Sequence, residues 1–256
     1  MVNDAAQQRI ELHVITKNFQ SIRSESRFED FCMELGHCEY DVCLLNETWG
    51  SNEDTYTLPR GDCIFLGGGD GNGGVGFAVS GKLMAAMTRV SFHAYSDRAC
   101  LLKFSSAGFY FHFLSCYSPT SWANDIAVEG AYTTLQIILN ELRSYPGPIV
   151  LGGDFNASVC GLQPGYDVTS VGEWGCGLRN ARGRALVSWV LENGFQILSL
   201  QSDMEDVVES WTCRIYFDDA KGGVFRLLRS AKRRGGKTIG LPNRKHACSD
   251  QSSLDG

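Results

Sequence analysis

The sequence predicts an α/β domain, because short apolar runs suited to buried strands alternate with segments whose apolar residues recur at helical spacing. The clearest apolar run covers 148–151, and two glycines, Asp154 and Asn156 follow it. The glycines are expected to end the strand and turn the chain. Ligands of α/β sheets usually lie at the carboxyl ends of strands, so this stretch indicates either a site or an ordinary Asx-type turn.

The first part of the chain predicts a strand, a helix and a second strand. Residues 12–16 form an apolar strand that ends near Asn18, and residues 42–47 form another that ends in the carboxylate of Glu47. Between them, residues 24–36 open with serines that can cap a helix, and they place their apolar residues on one face. Both early strands therefore end in a polar side chain.

A hairpin is predicted next, with strands over 62–66 and 75–80 joined by a glycine-rich loop. That loop lacks the Gly-Lys-Ser/Thr ending of a phosphate-binding loop, and a strand follows it where such a loop requires a helix. Apolar or alternating runs at 87–93, 98–104 and 109–117 then predict an antiparallel meander.

The second half of the chain continues the alternation of helices and strands. Its predicted elements are a helix over 125–143, the strand over 148–151, an irregular loop over 157–180, a helix over 181–193 and strands over 195–200 and 210–217. A loop of this length is usually functional, and it carries Trp174.

The composition is that of an ordinary globular protein, with 256 residues of which 43% are hydrophobic and 20% charged. No apolar run approaches the length of a transmembrane helix, and residues 1–4 lack the basic-then-apolar pattern of a signal peptide. The ten cysteines form no Cys-x-x-Cys pair, so we expect reduced, mostly buried thiols and no zinc site. These features predict an intracellular protein.

The amino-acid composition of the chain changes near Lys221. Residues 222–256 carry eight basic and two acidic side chains, although the whole chain has a net charge of −6. A basic tail on an acidic body suggests a phosphate-rich partner, and a solvated terminus is the alternative interpretation. We therefore predict one folded domain over 10–220 and a basic tail over 221–256.

Five polar side chains fall at the ends or edges of predicted strands: Asn18, Glu47, Tyr117, Asp154 and Asn156. Phosphoryl chemistry with a divalent metal needs such a set, because a hard cation prefers carboxylate oxygens and an attacking water must be oriented or deprotonated. Amide, phenol or metal groups stabilise the charge that grows on phosphate oxygens. Each of these residues alone would usually be a turn residue.

Short motifs around these residues resemble those of the endonuclease/exonuclease/phosphatase superfamily. They are, in order, Lys17-Asn18-Phe19, Leu45-Asn46-Glu47-Thr48-Trp49, Gly74-Val75-Gly76-Phe77, Cys116-Tyr117-Ser118-Pro119 and Gly152-Gly153-Asp154-Phe155-Asn156-Ala157. The chain is most similar to the apurinic-endonuclease-type nuclease domains of non-LTR retrotransposons and their domesticated relatives. The segments that contain Trp174, Asn180 and Trp211 also resemble parts of those nucleases, which implies that these residues bind substrate.

The resemblance implies a four-layered sandwich, with two mixed β-sheets face to face and helices outside. It also implies Mg²⁺-dependent hydrolysis of a nucleic-acid phosphodiester, with Mn²⁺ as the alternative metal and DNA, or else RNA, as the partner. Glu47 would be the main metal ligand with Asn18 close to it, and Tyr117 would contact the scissile phosphate. Asp154 would orient or deprotonate the attacking water, and Asn156 would hydrogen-bond the phosphate in the transition state.

The C-terminal part departs from the family pattern, which has an Ile-Asp-Tyr-like strand and a final Ser-Asp-His. Here no Ile-Asp-Tyr follows Phe217, and Ser249-Asp250-Gln251 ends in glutamine, a neutral and weaker donor. Two interpretations stay open. Either the residues after Lys221 are not the ancestral C-terminus, through a frameshift, altered splicing or decay, or Asp250 still binds the metal. Losing one preorganised donor costs about 10²–10³ in rate, and losing strands would leave an unpaired sheet edge.

Three alternative functions are therefore predicted. The first is endonucleolytic nicking of DNA, with an activity that is weakened or lost. The second is a catalytically inactive relict that binds nucleic acid through its basic tail. The third is a small-molecule phosphoesterase of the same superfamily. No membrane or protein partner is implied, and a nuclear location would follow only from a DNA substrate.

Overall fold

A computed structural model of the chain contains two mixed six-stranded β-sheets with helices on their outer faces. The structure describes residues 10–50, 52–68, 73–106, 108–120, 122–159, 178–197, 211–217 and 225–229. In this part of the chain, the α/β class predicted from the sequence is confirmed.

The first sheet is built from the N-terminal strands and one late strand. Its strands are β1 (Ile10–Asn18), β2 (Val42–Asn46), β3 (Asp54–Thr57), β4 (Cys63–Leu66), β5 (Val75–Val79) and β11 (Trp211–Phe217), in the order β11-β1-β2-β5-β4-β3. β1 and β2 are parallel, and the other neighbouring strands are antiparallel. The predicted hairpin is confirmed as β4 and β5.

The second sheet combines the meander with a parallel half. Its strands are β6 (Met87–Ser96), β7 (Ala99–Ser106), β8 (Phe109–Tyr117), β9 (Ile149–Asp154), β10 (Phe195–Ile197) and β12 (Phe225–Arg229), in the order β10-β12-β9-β8-β7-β6. β6, β7 and β8 form the predicted antiparallel meander. β8, β9, β12 and β10 pair in parallel.

The described helices are α1 (Glu25–Gly36), α2 (Gly81–Ala86), α3 (Asp125–Leu142) and α4 (Ala181–Glu192). α1, α3 and α4 lie where the apolar periodicity predicts them. Each begins after a side chain that accepts a backbone N–H from the first turn, namely Ser24, Asn124 and Asn180. Among the described helices, none has the length and apolar character needed to cross a membrane.

Successive side chains of a strand point to opposite faces of the sheet, and this divides the core into layers. Val42 and Leu44 of β2 pack between the two sheets with Val150 of β9. Cys43 and Leu45 belong to the cluster that packs against α1. On the far side, α3 and α4 cover the outer face of the second sheet. The resulting order of helix, sheet, sheet and helices is the four-layered sandwich that the resemblance implies.

Six cysteines whose side chains the structure describes are free thiols, and four of them are buried, as the sequence predicts: Cys32, Cys38, Cys43, Cys63, Cys100 and Cys116. Burial raises the pKa of the Cys43, Cys100 and Cys116 thiols, because the apolar core disfavours the thiolate. These three cysteines therefore act as small apolar core residues.

Three elements were not predicted from the sequence. All four residues of β3 are exposed, so the strand has no buried pattern, and α2 has only six residues. β12 lies inside the basic segment 221–256, where apolar periodicity fades. It pairs with β9 on one side and β10 on the other. Both edges of β9 are therefore paired, and the unpaired edge that a lost strand would leave is not found there.

The expectation that two glycines end the central strand was wrong, because β9 continues through them to Asp154. Gly153 has a φ of +138°, and a Cβ atom there would lie 1.8 Å from the carbonyl oxygen of Cys116 on β8. The absence of a side chain lets β8 and β9 stay paired to their last residues. Tyr117 consequently lies in register with Asp154.

We expect Gly153→Ala to destabilise the protein by about 3 kcal/mol, because the new methyl group meets backbone and φ is unfavourable for alanine. The control is Gly130→Ala in α3, where an added Cβ has nothing within 4 Å. That control should gain about 0.5–1 kcal/mol from helix propensity. Urea unfolding of both variants measures the difference, and equal midpoints would contradict the close approach of β8 and β9.

Candidate active site

The carboxyl ends of four strands from both sheets meet at one edge of the molecule. Asn18 ends β1, Glu47 follows β2, Tyr117 ends β8 and Asp154 ends β9. Glu47, Tyr117 and Asp154 are each no more than 8% exposed. The structure therefore gathers four of the predicted site residues into a partly enclosed polar edge, two from each sheet.

Tyr117 connects the two halves of this edge, because its phenol lies close enough to Glu47 and Asp154 to be influenced by both carboxylates. Burial, the neighbouring carboxylate of Glu47 and the charge of Asp154 raise the pKa of Tyr117 to about 12, while Arg98 acts in the opposite direction. The phenol therefore keeps its proton at neutral pH. It can donate a hydrogen bond to an anionic oxygen but does not act as a base.

The carboxylate of Asp154 is held by groups from its own strand end and from the first sheet. Its Oδ1 accepts a hydrogen bond of 2.9 Å from the backbone N–H of Asn156, and its Oδ2 lies 3.5 Å from the amide nitrogen of Asn18. These contacts fix the direction in which the carboxylate points. A carboxylate fixed in this way can orient a water molecule and accept its proton.

Asn156 lies next to the site in a left-handed backbone conformation, with a φ of +46°. Its amide Nδ2 donates a hydrogen bond of 2.8 Å to the carbonyl oxygen of Ser118, which follows β8. The side chain therefore braces the ends of β8 and β9. Its predicted contact with a phosphate stays a prediction.

The turn that presents Glu47 has an unusual backbone that several hydrogen bonds hold in place. Glu47 and Trp49 have φ values of +54° and +55°, a region that non-glycine residues rarely occupy. The carbonyl of Glu47 accepts a hydrogen bond of 2.8 Å from Ser21 N–H, and Trp49 N–H donates one of 2.8 Å to the carbonyl of Gly73. Backbone strain of this kind persists only where the surroundings enforce it, and it clusters at functional sites.

Two side chains behind the site join the sheets to each other, and the sequence analysis did not identify either. Asn46 Nδ2 donates a hydrogen bond of 2.8 Å to the carbonyl of Cys116, and Ser115 Oγ donates one of 3.1 Å to the carbonyl of Leu45. Both residues are fully buried. The available signal was a lone polar residue within an apolar run, which is typical of a buried hydrogen-bonding role.

Arg98 is a further residue that the sequence analysis missed. It lies in the turn between β6 and β7, and its guanidinium is 5.1 Å from the centre of the Tyr117 ring. Both residues border a cleft of about 360 Å³ that is also lined by the residues after β8 and by the first half of α3. The cleft therefore places a cation beside the phenol. A single arginine in a turn carries no sequence signal of this role.

The remaining predicted site residues lie apart from this group or outside the described residues. Asn180 is the N-cap of α4, where its Oδ1 accepts hydrogen bonds of 2.7 Å from Gly183 N–H and 3.1 Å from Ser158 N–H. Trp211 begins β11, in register with Thr16. Trp174, Asp250 and Gln251 lie outside the described residues. The predicted substrate contacts of Trp174, Asn180 and Trp211 stay predictions.

The donor set of the site consists of oxygen atoms and fits a hard divalent cation. Across the described ranges, no three side chains of His, Cys, Asp or Glu come together as a metal cluster. Mg²⁺ commonly needs only one or two carboxylates, together with water and substrate phosphate oxygens. Glu47, with the amide oxygen of Asn18, can supply such ligands.

A family model described as the Endonuclease/Exonuclease/phosphatase family matches residues 15–178, which include the ends of β1, β2, β8 and β9. The chain belongs to this family. Its chemistry is phosphodiester hydrolysis, and its enzymes generally depend on a divalent metal. The superfamily expected from the sequence motifs is confirmed. A search of curated proteins found no match.

Solved structures of nucleases share the fold. An AP endonuclease from Archaeoglobus fulgidus matches with 20% identity and a TM-score of 0.50, over 78% of this chain and 77% of that one. The 3'-5' exonuclease NExo from Neisseria meningitidis matches with 17% identity and a TM-score of 0.51, over 78% of each chain. The endonuclease domain of TRAS1, a telomere-specific non-LTR retrotransposon, has 18% identity and a TM-score of 0.47, over 72% and 73%. Identities this low show a common fold and nothing more.

We expect Asn46→Ala to cost about 1–3 kcal/mol of stability, because it removes a buried donor and leaves the carbonyl of Cys116 without its partner. Asn140→Ala on the exposed face of α3 is the matched control and should stay within about 0.5 kcal/mol of the parent. Thermal unfolding of the two variants tests the difference. Equal unfolding temperatures would show that the hydrogen bond between the sheets contributes nothing to stability.

Proposed function

We propose that this chain is a metal-dependent endonuclease that nicks DNA. The observation that carries the proposal is the position of the Tyr117 phenol beside Glu47 of the other sheet, next to the oriented carboxylate of Asp154. This arrangement sets a metal-binding carboxylate, a proton donor and a base around one point. The AP endonuclease and the 3'-5' exonuclease among the structural neighbours support a nucleic-acid substrate, with RNA as the alternative to DNA.

Glu47 and Asn18 would hold the metal, which is Mg²⁺ or Mn²⁺ in this proposal. When bound, such a cation neutralises the phosphate and stabilises the charge that develops in the transition state. Glu47 is almost fully buried, and an isolated buried carboxylate is costly. The polar phenol of Tyr117 lies beside this carboxylate and offsets part of that cost in the absence of the cation. The carboxylate is therefore in place before a cation binds.

Asp154 would accept the proton of the attacking water. The hydrogen bonds from Asn156 N–H and the Asn18 amide hold the carboxylate in one orientation, which lowers the cost of aligning the water. Tyr117 would donate its hydroxyl proton in a hydrogen bond to a non-bridging phosphate oxygen. Its raised pKa suits that role, because the phenol stays neutral when the anionic substrate arrives. Asn156 would contribute a second neutral donor.

The C-terminal segment limits the expected rate. β12, with the sequence Phe-Arg-Leu-Leu-Arg, occupies a central position next to β9 without an aspartate. The family resemblance pairs an aspartate on such a strand with a final histidine, whereas glutamine stands at position 251. We infer that this chain works without that pair and is slower by about 10²–10³ than an enzyme with the full set. Asp250 as a further metal ligand belongs to the same proposal.

The second candidate function is nucleic-acid binding without hydrolysis. The observation that favours it is the basic tail, which contains β12 and carries eight basic side chains against two acidic ones. Basic side chains bind phosphates independently of sequence, and such binding weakens steeply with salt. The two functions differ in a measurable way, because only the first breaks a phosphodiester bond.

We expect the parent protein to nick supercoiled plasmid in Mg²⁺ or Mn²⁺, and Asp154→Asn to lower the rate about 10²–10⁴-fold through loss of the base. The control is Asp30→Asn, which makes the same chemical change at an exposed position on α1 and should leave the rate unchanged. Gel separation of supercoiled and open-circular plasmid measures the rate. EDTA should abolish nicking in every variant.

Plasmid binding without nicking by the parent would support the binding function and contradict the endonuclease proposal. Nicking that survives in Asp154→Asn at the parent rate would place the base elsewhere. Each variant is compared with the parent by circular dichroism, so that loss of fold is separated from loss of chemistry.

We expect Gln251→His to raise the nicking rate if the C-terminal segment is a native variant that still reaches the site, because a histidine can donate to the phosphate as a cation. If the segment is foreign to the ancestral nuclease, the rate will not change. The nicking rate of Gln251→His relative to the parent distinguishes the two origins. His246→Gln is the control, and it should have no effect under either origin.

A further inference from the structure

Trp122 is the most exposed large apolar side chain of the described residues, with 95% of its surface accessible to solvent. It lies in the connection between β8 and α3, five residues after Tyr117. Tryptophan is usually largely buried, because its ring removes a large apolar area from water. A fully exposed tryptophan this close in sequence to the site residue Tyr117 is available to contact a ligand of the site.

The turn that carries Trp122 is held by hydrogen bonds on both sides. Ala123 N–H donates a bond of 3.0 Å to the carbonyl of Thr120, and Arg182 on α4 donates one of 2.8 Å to the carbonyl of Ala123. The side chain of Asn124 then accepts from Ala127 N–H at 2.9 Å and begins α3. The indole is thus presented by an anchored segment, which lowers the entropy lost when a ligand contacts it.

The same turn forms one wall of the cleft that contains Tyr117 and Arg98. Thr120 and Ala123, which flank Trp122 at short range, both line that cleft. The Arg98 side chain borders it as well and is 33% exposed, and it forms an ion pair of 3.7 Å with Asp97, which also lines the cleft. The cleft therefore contains a cation and a phenol, and the turn that carries Trp122 borders it. This combination of positive charge with aromatic rings is the one that single-stranded nucleic acids bind.

A protein partner fits the surroundings of Trp122 less well. The exposed apolar neighbour in sequence is Ile126, and the charged Asp125 and Arg182 lie beside it. Two apolar side chains bordered by charges form a patch far smaller than the core of a stable protein interface. A single planar ring is sufficient to stack on a base.

We propose that Trp122 stacks on an unpaired nucleobase of the substrate, next to the phosphodiester bound at Tyr117, and that it favours substrates with an unpaired nucleotide over continuous duplex. The inference rests on the proposed nuclease function. A paired base inside a duplex is covered on both faces by its neighbours, so the indole can reach a base face only at a bulge, a loop, an end or a single strand.

The test compares binding of two DNA probes, a duplex with a single-base bulge and a fully paired duplex of the same sequence, in EDTA so that no cleavage occurs. Fluorescence anisotropy at several salt concentrations gives the affinity and its salt slope. We expect Trp122→Ala to bind the bulged duplex about 5- to 150-fold more weakly, the range that corresponds to one stacked base. Binding of the paired duplex should change little, and Trp122→Phe should recover most of the loss.

The dependence of affinity on salt distinguishes a loss of base stacking from a loss of a phosphate contact. Trp122→Ala should leave the slope of log affinity against log salt unchanged, whereas Arg98→Ala should reduce it by about 0.9 if it removes one phosphate contact. Ile126→Ala is the matched control for loss of an exposed apolar side chain in the same region, and it should bind both probes like the parent.

The inference is overturned if the parent binds and nicks DNA while Trp122→Ala binds both probes with parental affinity. It is also overturned if Trp122→Ala lowers the unfolding temperature more than Ile126→Ala does, since Trp122 would then be a packing residue. A change in sedimentation of Trp122→Ala alone would assign the ring to contact between copies of the chain and would reject base stacking. If the parent binds neither probe and does not nick plasmid, the proposed function itself fails, and this inference fails with it.

Discussion

The hydrogen bonds between the two sheets are the contacts on which the site depends, because each sheet contributes only half of it. Asn46 on β2 donates to the carbonyl of Cys116 on β8, and Ser115 donates back to the carbonyl of Leu45. These contacts lie directly behind Glu47 and Tyr117. The apolar core between the sheets supplies most of the attraction, but apolar contact has little directional preference. The buried polar contacts set the relative position of the two strand ends.

The site places two carboxylates in a poorly solvated region and stabilises them with neutral donors. The phenol of Tyr117 lies beside Glu47, and Asp154 accepts a hydrogen bond from the backbone N–H of Asn156. Negative charge in such a place is costly unless it is paired or hydrogen-bonded. The edge is therefore prepared for a cation and for the phosphate oxygens that accompany it. The left-handed backbone at Glu47 and Asn156 lies at the same edge, just after β2 and β9.

In the second sheet, a strand keeps its place in the fold although its side chains lack a functional residue of the family. β12 takes a central place between β9 and β10 through backbone hydrogen bonds, which any sequence without proline can make. Its residues do not include the aspartate that the family resemblance leads one to expect there. Strand pairing requires only backbone, whereas a hydrogen-bonded Asp–His pair requires two particular side chains. The sheet is complete in the described part of the chain, although one pair of the family's functional residues is not found in the sequence.

The sequence by itself determined the α/β class, most of the strands and helices, and the polar residues at the strand ends. Apolar periodicity is local, and the motifs around Glu47, Tyr117 and Asp154 are short segments that can be recognised one at a time. β3, α2 and β12 were missed because they are short, exposed or placed in a basic stretch where pairing with neighbours outweighs local preference. The continuation of β9 through Gly153 was missed because its pairing with β8 outweighs the local preference of glycine to end a strand.

Only the tertiary structure decided which strand ends meet. The position of Tyr117 beside Glu47, the hydrogen bonds made by Asn46 and Ser115, and the position of Arg98 over the Tyr117 ring all join residues distant in sequence. The exposure of Trp122 also depends on what the rest of the chain leaves uncovered. The sequence identifies the groups that a phosphodiester hydrolase needs. Their distances and burial, which set the proton affinity of Tyr117 and the direction of Asp154, exist only once the two sheets have packed together.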